Sequence, residues 1–379
     1  MTIGKRKGSA AKGVGGTGVN NVNKVGGSLS KNDHWYLQQA FGVSVDPGAV
    51  PTFQATGGQS TAEYTDPVSK WKAHKFTATG SFVVTDNGGP GSGNIEYLVI
   101  GAGGGGGASG PSGYHGAGGG GGGCIKTNMG NNDLALGMQT YTVTVGDGGP
   151  AGTGDGPPSN PGGPGAKGGD SSIAGPDITT ITAGGGGGAM GSQSNPDNSW
   201  PSPIGGKDTG GSPLPGGGSG AGGSPYPIAA TGQVSTGAPG HPGAADVASP
   251  PLGWGNDGGD GPANSMGAGG GGGAAVVGGN ETSSFNGGPG GNGAAYTIYE
   301  GPTAPVSYGG GGGGGGGNPP ATLAPGGTGG GGAGALHPNP SPSNGVDGTA
   351  NTGGGGGGGA QSTAGGGGSG IVIIRYKVL

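Results

Sequence analysis

Cysteine occurs once, as Cys124, so the chain can close no intrachain disulfide and build no multi-cysteine metal site. Charge is also scarce. Asp, Glu, Lys and Arg make up 9% of the residues, whereas disordered chains are typically highly charged. Hydrophobic residues reach 28% and aromatics 5%, and the apolar ones gather in a few short stretches, which excludes an ordinary side-chain core over most of the length. No apolar run is long enough to cross a membrane, and none near the N-terminus is long enough for the core of a signal peptide. The expectation is a protein without membrane insertion that would reach the outside by another route, such as lysis.

Catalytic patterns are missing too. The histidines His34, His74, His115, His241 and His337 are isolated, with no partner at metal-ligand spacing. Gly-x-Gly-x-x-Gly matches arise by chance at this glycine content, and none joins a strand to a helix as dinucleotide binding requires. There is no phosphate-binding Gly-x-x-x-x-Gly-Lys-Ser/Thr and no Ser/His/Asp constellation. The segment 255–261 offers oxygens of the kind calcium takes, but Asn/Asp/Gly clusters of this type read first as turns. The sequence therefore predicts no enzyme, no cofactor and no metal.

What the sequence has is glycine and proline, 115 and 32 of its 379 residues. Disorder is the default for such a composition, because glycine has the most backbone entropy to lose and no side chain to bury. Two features argue against it: the low charge, and eight uninterrupted runs of four or more glycines, at 103–107, 118–123, 184–188, 269–273, 309–317, 329–332, 353–359 and 365–368. Neither helix nor strand favours such runs. Polyglycine II does. This left-handed threefold rod, with a rise of roughly 3.1 Å per residue, has no internal hydrogen bonds and must bond to neighbouring rods. Ordering a glycine costs about 1–2 kcal/mol against a net ~0.5–1.5 kcal/mol per hydrogen bond, so one rod is unstable and a bundle is required. Collagen is excluded, since its three-residue period survives only briefly, as at 162–168.

Strand signals lie around the runs. Lys75–Thr77 and Ser81–Thr85 read as a hairpin, followed by Ile95–Ile100, Tyr141–Val145 and Ile371–Val378, with a weaker stretch at Tyr296–Tyr299. If successive runs alternate in direction, an even number returns the last one to Ile95–Ile100, where Ile371–Val378 can pair with it. All four later stretches then fall at one end as a small sheet. The predicted fold is mostly non-regular and β: a small antiparallel β-sheet base carrying a packed polyglycine II bundle, a glycine-rich sandwich with little α-helix.

The other end, the tip, would consist of 108–117, 189–268, 318–328 and 360–364. Its aromatic and imidazole side chains, Tyr114, His115, Trp200, Tyr226, His241 and Trp254, suit a binding surface on a rigid scaffold. Trp200 and Trp254 serve equally well as pins that hold their loops on the rods.

At the N-terminus Lys5, Arg6, Lys7, Lys12, Lys24 and Lys31 are accompanied by no acid, although the net charge is −5. This basic arm, 1–32, lacks interleaved aromatics, reads as a flexible tail or linker, and is assigned no specific nucleic-acid partner. Next, Asp33–Phe41 reads as a short helix capped by Asp33 and stopped by Gly42. Its Trp35, Tyr36, Leu37 and Phe41 form a docking knob. The expected organisation is an arm at 1–32, an attachment region with helix and hairpin at 33–94, and a glycine-rich bundle at 95–379.

Three segments together carry a resemblance: Trp71…His74-Lys75-Phe76…Gly80-Ser81-Phe82-Val83-Val84; Glu96-Tyr97-Leu98-Val99-Ile100-Gly101 opening into poly-glycine; and the closing Gly368-Ser369-Gly370-Ile371-Val372-Ile373-Ile374-Arg375-Tyr376. From Trp71 to Leu379 the chain resembles the glycine-rich adhesins and tail-fibre tip proteins of tailed bacteriophages, including T-even-like and marine phages. The resemblance implies a polyglycine II bundle on the virion, with tip loops that recognise a bacterial surface receptor, glycan or outer-membrane protein. It also implies an N-terminal part attached to other virion proteins, and synthesis in the host cytoplasm with release by lysis. The arm departs from any attachment domain of that family. A structural virion component, such as a capsid decoration, fibre protein or filament subunit, is the other class open at this point.

Overall fold

The computed structural model describes residues 52–67, 69–88, 94–110, 115–131, 134–154, 162–192, 218–223, 255–261, 266–283, 285–317, 322–337, 343–361 and 363–378. The chain divides after Pro51 into two units, and the first, with the arm and the expected helix Asp33–Phe41, lies outside the described residues.

Among the described residues the regular elements are strands: β1 (Phe53–Thr56), β2 (Ser60–Thr65), β3 (Lys70–Phe76), β4 (Gly80–Asn87), β5 (Asn94–Ile100), β6 (Ile125–Thr127), β7 (Leu134–Ala135), β8 (Thr140–Thr144), β9 (Ser171–Gly175), β10 (Ile178–Ala183), β11 (Ala294–Tyr296), β12 (Val306–Tyr308) and β13 (Ile371–Val378). The expected pairing of Ile95–Ile100 with Ile371–Val378 is present as β5 on β13, with Ile100 opposite Ile371 and Arg375 opposite Glu96. The base is three sheets and not one, the smallest being the pair β11-β12. A five-stranded sheet runs β1-β4-β8-β9-β10, and a six-stranded one runs β2-β3-β13-β5-β6 with β7 also on β5.

The six-stranded sheet is buried on both faces along β5 and the first half of β13. Val372, Ile374 and Tyr376 meet Phe53, Phe82, Tyr141, Val143 and Ile173 of the facing sheet. Ile371 and Ile373, with Leu98 and Ile100, meet Tyr296, Ile298 and Tyr308 on the opposite side. Burial on both faces is why β13 opens with an unbroken apolar run instead of an alternating one. The stretch around Tyr296 does lie at the base, as β11 paired with β12.

The hairpin expected from Lys75–Thr77 and Ser81–Thr85 does not form. β3 pairs with β2 and β13, whereas β4 pairs with β1 and β8 in the other sheet. The chain turns a corner between sheets at Thr77–Thr79 because Phe76 and Phe82 both belong in the inter-sheet core, where their ring centroids are 6.5 Å apart and edge to face. Strands 53–87 therefore share their sheets with β5, β8 and β13, in one unit that begins at Thr52.

The glycine runs form the bundle, and the run at 103–107 shows its rule. Gly103 and Gly106 donate to the carbonyls of Gly368 and Gly365, Gly104 and Gly107 to Gly121 and Gly118, and Gly105 and Ala108 to Ala166 and Gly163. Every third N–H reaches the same neighbour, as a threefold rod requires. Its carbonyls accept in the same rhythm from Gly149 and Gly152, from Gly186, Ala189 and Ser192, and from Gly356 and Gly359. Three neighbours receive its bonds and three give them, so the rod is enclosed and its peptide groups are satisfied.

Direction can be read from the same bonds. Ascending residues of 101–107 meet descending residues of 118–124, and the runs at 184–188, 269–273, 309–317, 353–359 and 365–368 follow the expected alternation. The run at 329–332 breaks it: Gly310, Gly313 and Gly316 donate to Gly329, Gly332 and Ala335, so this rod runs parallel to its predecessor. The reason is that residues 322–328 have already returned to the base. They belong to a second set of rods, 146–154, 162–170, 218–223, 255–261, 277–283, 286–293, 322–328 and 343–349, which the run count did not include.

These additional rods are largely the outer ones, and they place a non-glycine residue at about every third position. In 146–154, Gly146, Gly149 and Gly152 are buried while Asp147, Pro150 and Thr153 are exposed. Asn and Asp at outward positions also complete the lattice. Asn286 and Asn292 accept from the N–H groups of Thr322 and Thr328 at 2.7 and 3.0 Å, and Asp347 accepts from Gly366 at 2.8 Å. Pro325, between the two threonines, has no N–H to be met.

Candidate functional site

The end of the bundle remote from the sheets is built from rod termini. Ser109 bridges to Ser192 in parallel and Gly116 to Ala360 antiparallel. The buried hydroxyls of Ser109 and Ser192 are 2.8 Å apart, and the Ser192 hydroxyl reaches the His115 carbonyl at 3.4 Å. Alanines 108, 117, 189, 268 and 360, all buried, close the lattice at this level.

Of the predicted tip residues, His115 is described. It lies at the tip, half-buried, with its backbone tied to Ser192. Tyr114, Trp200, Tyr226, His241 and Trp254 lie outside the described residues, as do Trp35, Tyr36, Leu37 and Phe41 of the docking knob.

The expected tip segment 189–268 is not one excursion. Its residues 218–223 and 255–261 are rods within the bundle: Ser219 and Gly222 donate to Gly122 and Gly119, and Gly220 and Gly223 donate to Asn256 and Gly259. Gly218 and Gly255 both lie at the base end, where a Cβ on Gly255 would be 2.4 Å from the Ser219 nitrogen. Segment 318–328 likewise ends at the base, where Gly293 donates to the Thr328 carbonyl.

One exposed tip residue, Phe285, lies outside the expected tip segments, and another, Leu323, lies within the expected segment 318–328. The 283–286 turn, closed by a bridge from Ser283 to Asn286, presents Phe285 at 37% exposure, and Leu323 at 52% stands on the neighbouring rod. The Asn286 side chain joins the two segments through Thr322, and the Phe285 carbonyl accepts from Gly317 at 2.7 Å. The signal for this turn was the spacing Asn286-Gly-Gly-Pro289-Gly-Gly-Asn292, which marks an outer rod and so implies a tip connection before it.

A cluster of titratable groups lies at the base. Arg375 binds one carboxylate oxygen of Glu96 through Nε at 2.7 Å and through Nη2, while its Nη1 donates to the Tyr64 hydroxyl. Its guanidinium lies 4.3 Å from the Trp71 ring centre, and Trp71 donates to Asp66 at 2.6 Å. Burial pushes the Cys124 thiol up to about 12, and burial, followed by the bond to Asp177, pushes the Tyr141 hydroxyl to about 12. Among the described residues no three His, Cys, Asp or Glu side chains are placed to hold a metal ion, and no helix is long and apolar enough to cross a membrane.

Comparison with curated proteins gives no match. Residues 76–377, from the end of β3 to the last turn of β13, match the family described as a glycine-rich domain, and the chain belongs to that family.

Proposed function

We propose that this protein is a surface protein of a tailed-bacteriophage virion, a tail-fibre tip adhesin whose polyglycine bundle holds receptor-binding loops away from the point of attachment. The observation that carries the reading is the polarity of the bundle. The sheets, with the entry of the chain at Thr52 and its closing strand β13, occupy one end. The rods 101–108, 184–192, 309–317 and 353–360 all finish at the other. A lattice held by backbone bonds places no demand on the composition of the connections between rods. Those at 111–114, 155–161, 262–265, 318–321 and 338–342 are therefore free to vary while the scaffold stays the same. Function carried by such connections needs no convergent catalytic group. The receptor would be a glycan or outer-membrane protein of the host surface, and the N-terminal unit would join other virion proteins.

The test is to exchange the connections 111–114, 318–321 and 338–342 for those of a phage with a different host and to measure adsorption, while the labelled protein is located on virions by electron microscopy. The expected result is a changed host range with label at the tail tip. Unchanged adsorption by intact virions, or label in a regular lattice on the capsid, overturns it in favour of a structural component.

A further inference from the structure

His74 stands between the two larger sheets at 1% exposure, with both ring nitrogens engaged. Its Nδ1–H donates to the Gly57 carbonyl at 2.8 Å. Its Nε2 accepts the hydroxyl proton of Tyr376 at 3.3 Å, and the Tyr376 oxygen accepts from the Ala55 N–H at 3.3 Å. These bonds cross the sandwich. His74 and Tyr376 belong to β3 and β13 of one sheet, while Ala55 belongs to β1, the edge strand of the other. Gly57 is the corner between β1 and β2, held at φ +120 with no room for a Cβ, which would be 2.1 Å from the Ser81 carbonyl. The Phe82 and Tyr376 rings pack on the imidazole at centroid distances of 5.3 and 5.6 Å.

The arrangement accepts only a neutral imidazole. A proton on Nε2 would give the Tyr376 oxygen two donors and leave its own hydroxyl proton without its acceptor, beside a buried charge. The charged and titratable groups around it do not compensate. Lys72, on the same face of β3, repels a second cation. Glu63, opposite Lys72 on β2, is committed to Lys70 at 2.8 Å, and Asp86, at the end of β4, accepts from Gly88 at 2.9 Å. Burial holds His74 below its ordinary 6.5. The enclosed rod stretches 101–108 and 116–123, by contrast, consist of Gly and Ala, and the thiol of Cys124 that follows is held protonated by burial, which pushes it up to about 12.

The geometry points to an acid-released latch: protonation of His74 frees β1 and the Gly57 corner from the six-stranded sheet while the polyglycine bundle remains folded. β1 is where the chain enters the base from the N-terminal unit, so acid would loosen that entry without disturbing the tip. Because the open form takes up a proton as a solvated imidazole does, near 6.5, opening is favoured as pH falls through that value. At pH 5 the open population would rise by up to about 30-fold over neutral pH.

Hydrogen exchange of the full chain at pH 7.5 and pH 5.0, corrected for intrinsic rates, tests this together with an NMR titration of the His74 ring. The expected result is a 10- to 30-fold loss of protection confined to residues 53–65, unchanged protection at 101–108 and 116–124, and no such pH response in His74→Gln. Loss of protection in the rods at the same pH, an unchanged response in His74→Gln, or, should that variant fail to fold, a His74 titration at or above 6.5 in the wild type would overturn it. None of these readouts involves the tip, so the latch and the adhesin reading stand or fall separately.

Discussion

A Cβ built on Gly104 would stand 2.0 Å from the carbonyl oxygen of Gly187, whereas one built on Gly366 would find its nearest atom, the Gly149 carbonyl oxygen, at 3.6 Å. Both residues lie in poly-glycine runs, and neither has a positive φ. The difference is one of position. Gly104 is surrounded by rods, and Gly366 faces outward. Gly104→Ala should therefore force rods apart and break bonds on more than one side, at a cost on the order of 3 kcal/mol or more. Gly366→Ala should be neutral or stabilise by about 0.4–1 kcal/mol, by reducing the freedom of the unfolded chain. Chemical denaturation of the two variants beside the wild type checks the pair, and equal destabilisation would contradict the lattice.

This contrast also explains how far the sequence could be read. A run of glycines announces a rod that meets neighbours on most or all sides, and the runs 103–107 and 118–123, which are enclosed, are recognisable for that reason. A rod with one solvent face needs glycine only where it meets neighbours, so 146–154 and 286–293 dilute the signal with Asp147, Pro150 or Asn292 and read as loops. The strands β5 and β13 are visible because burial on both faces makes part of each an unbroken apolar run, Tyr97–Ile100 and Ile371–Ile374. β3 and β4 were visible as strands but not as members of different sheets, since the corner at Thr77–Thr79 has the composition of an ordinary turn. At the tip, His115 and Leu323 lie in expected tip segments, whereas Phe285 lies outside them because the rods 277–283 and 286–293 that deliver it carry no glycine run.

The Asn side chains that bracket the outer rods give a second prediction. Asn292→Ala removes the acceptor of the Thr328 N–H, and Asn286→Ala that of Thr322. Each should cost about 1 kcal/mol, roughly additively, because the two sites lie two turns apart on one rod. Pro289→Ala on the same rod removes no such bond and should change stability less. Thermal melting of the three variants and the double Asn variant tests the assignment.

The Glu96–Arg375 pair is buried, with side chains 4% and 12% exposed, and it links β5, which leads into the first glycine run, to the closing strand β13. Glu96→Ala leaves the guanidinium with Tyr64 and Trp71 but no anion, and should destabilise by about 3–5 kcal/mol. Replacing both partners, as Glu96→Leu with Arg375→Met, removes the unpaired charge and should recover most of that loss. A double variant no more stable than Glu96→Ala would mean that the pair acts through β5–β13 register and not through charge.

Cys124 is the last residue before β6, where the rod 116–124 enters the base. Its N–H donates to Gly184 and its carbonyl accepts from Gly101, and its side chain is fully buried in the inter-sheet core. With burial raising the thiol to about 12, the thiolate that alkylating reagents require is absent at pH 8, and the reagent has no path to it. The folded protein should therefore resist iodoacetamide, and labelling should follow the opening of the junction between sheet and bundle. Because the rod and both sheets must separate for Cys124 to emerge, its labelling rate in denaturant should follow global unfolding. In Gly104→Ala it should increase by the factor that the stability loss dictates, roughly a hundredfold or more for 3 kcal/mol. Labelling of the native wild type at the rate of a free thiol would show that the junction opens independently of the lattice.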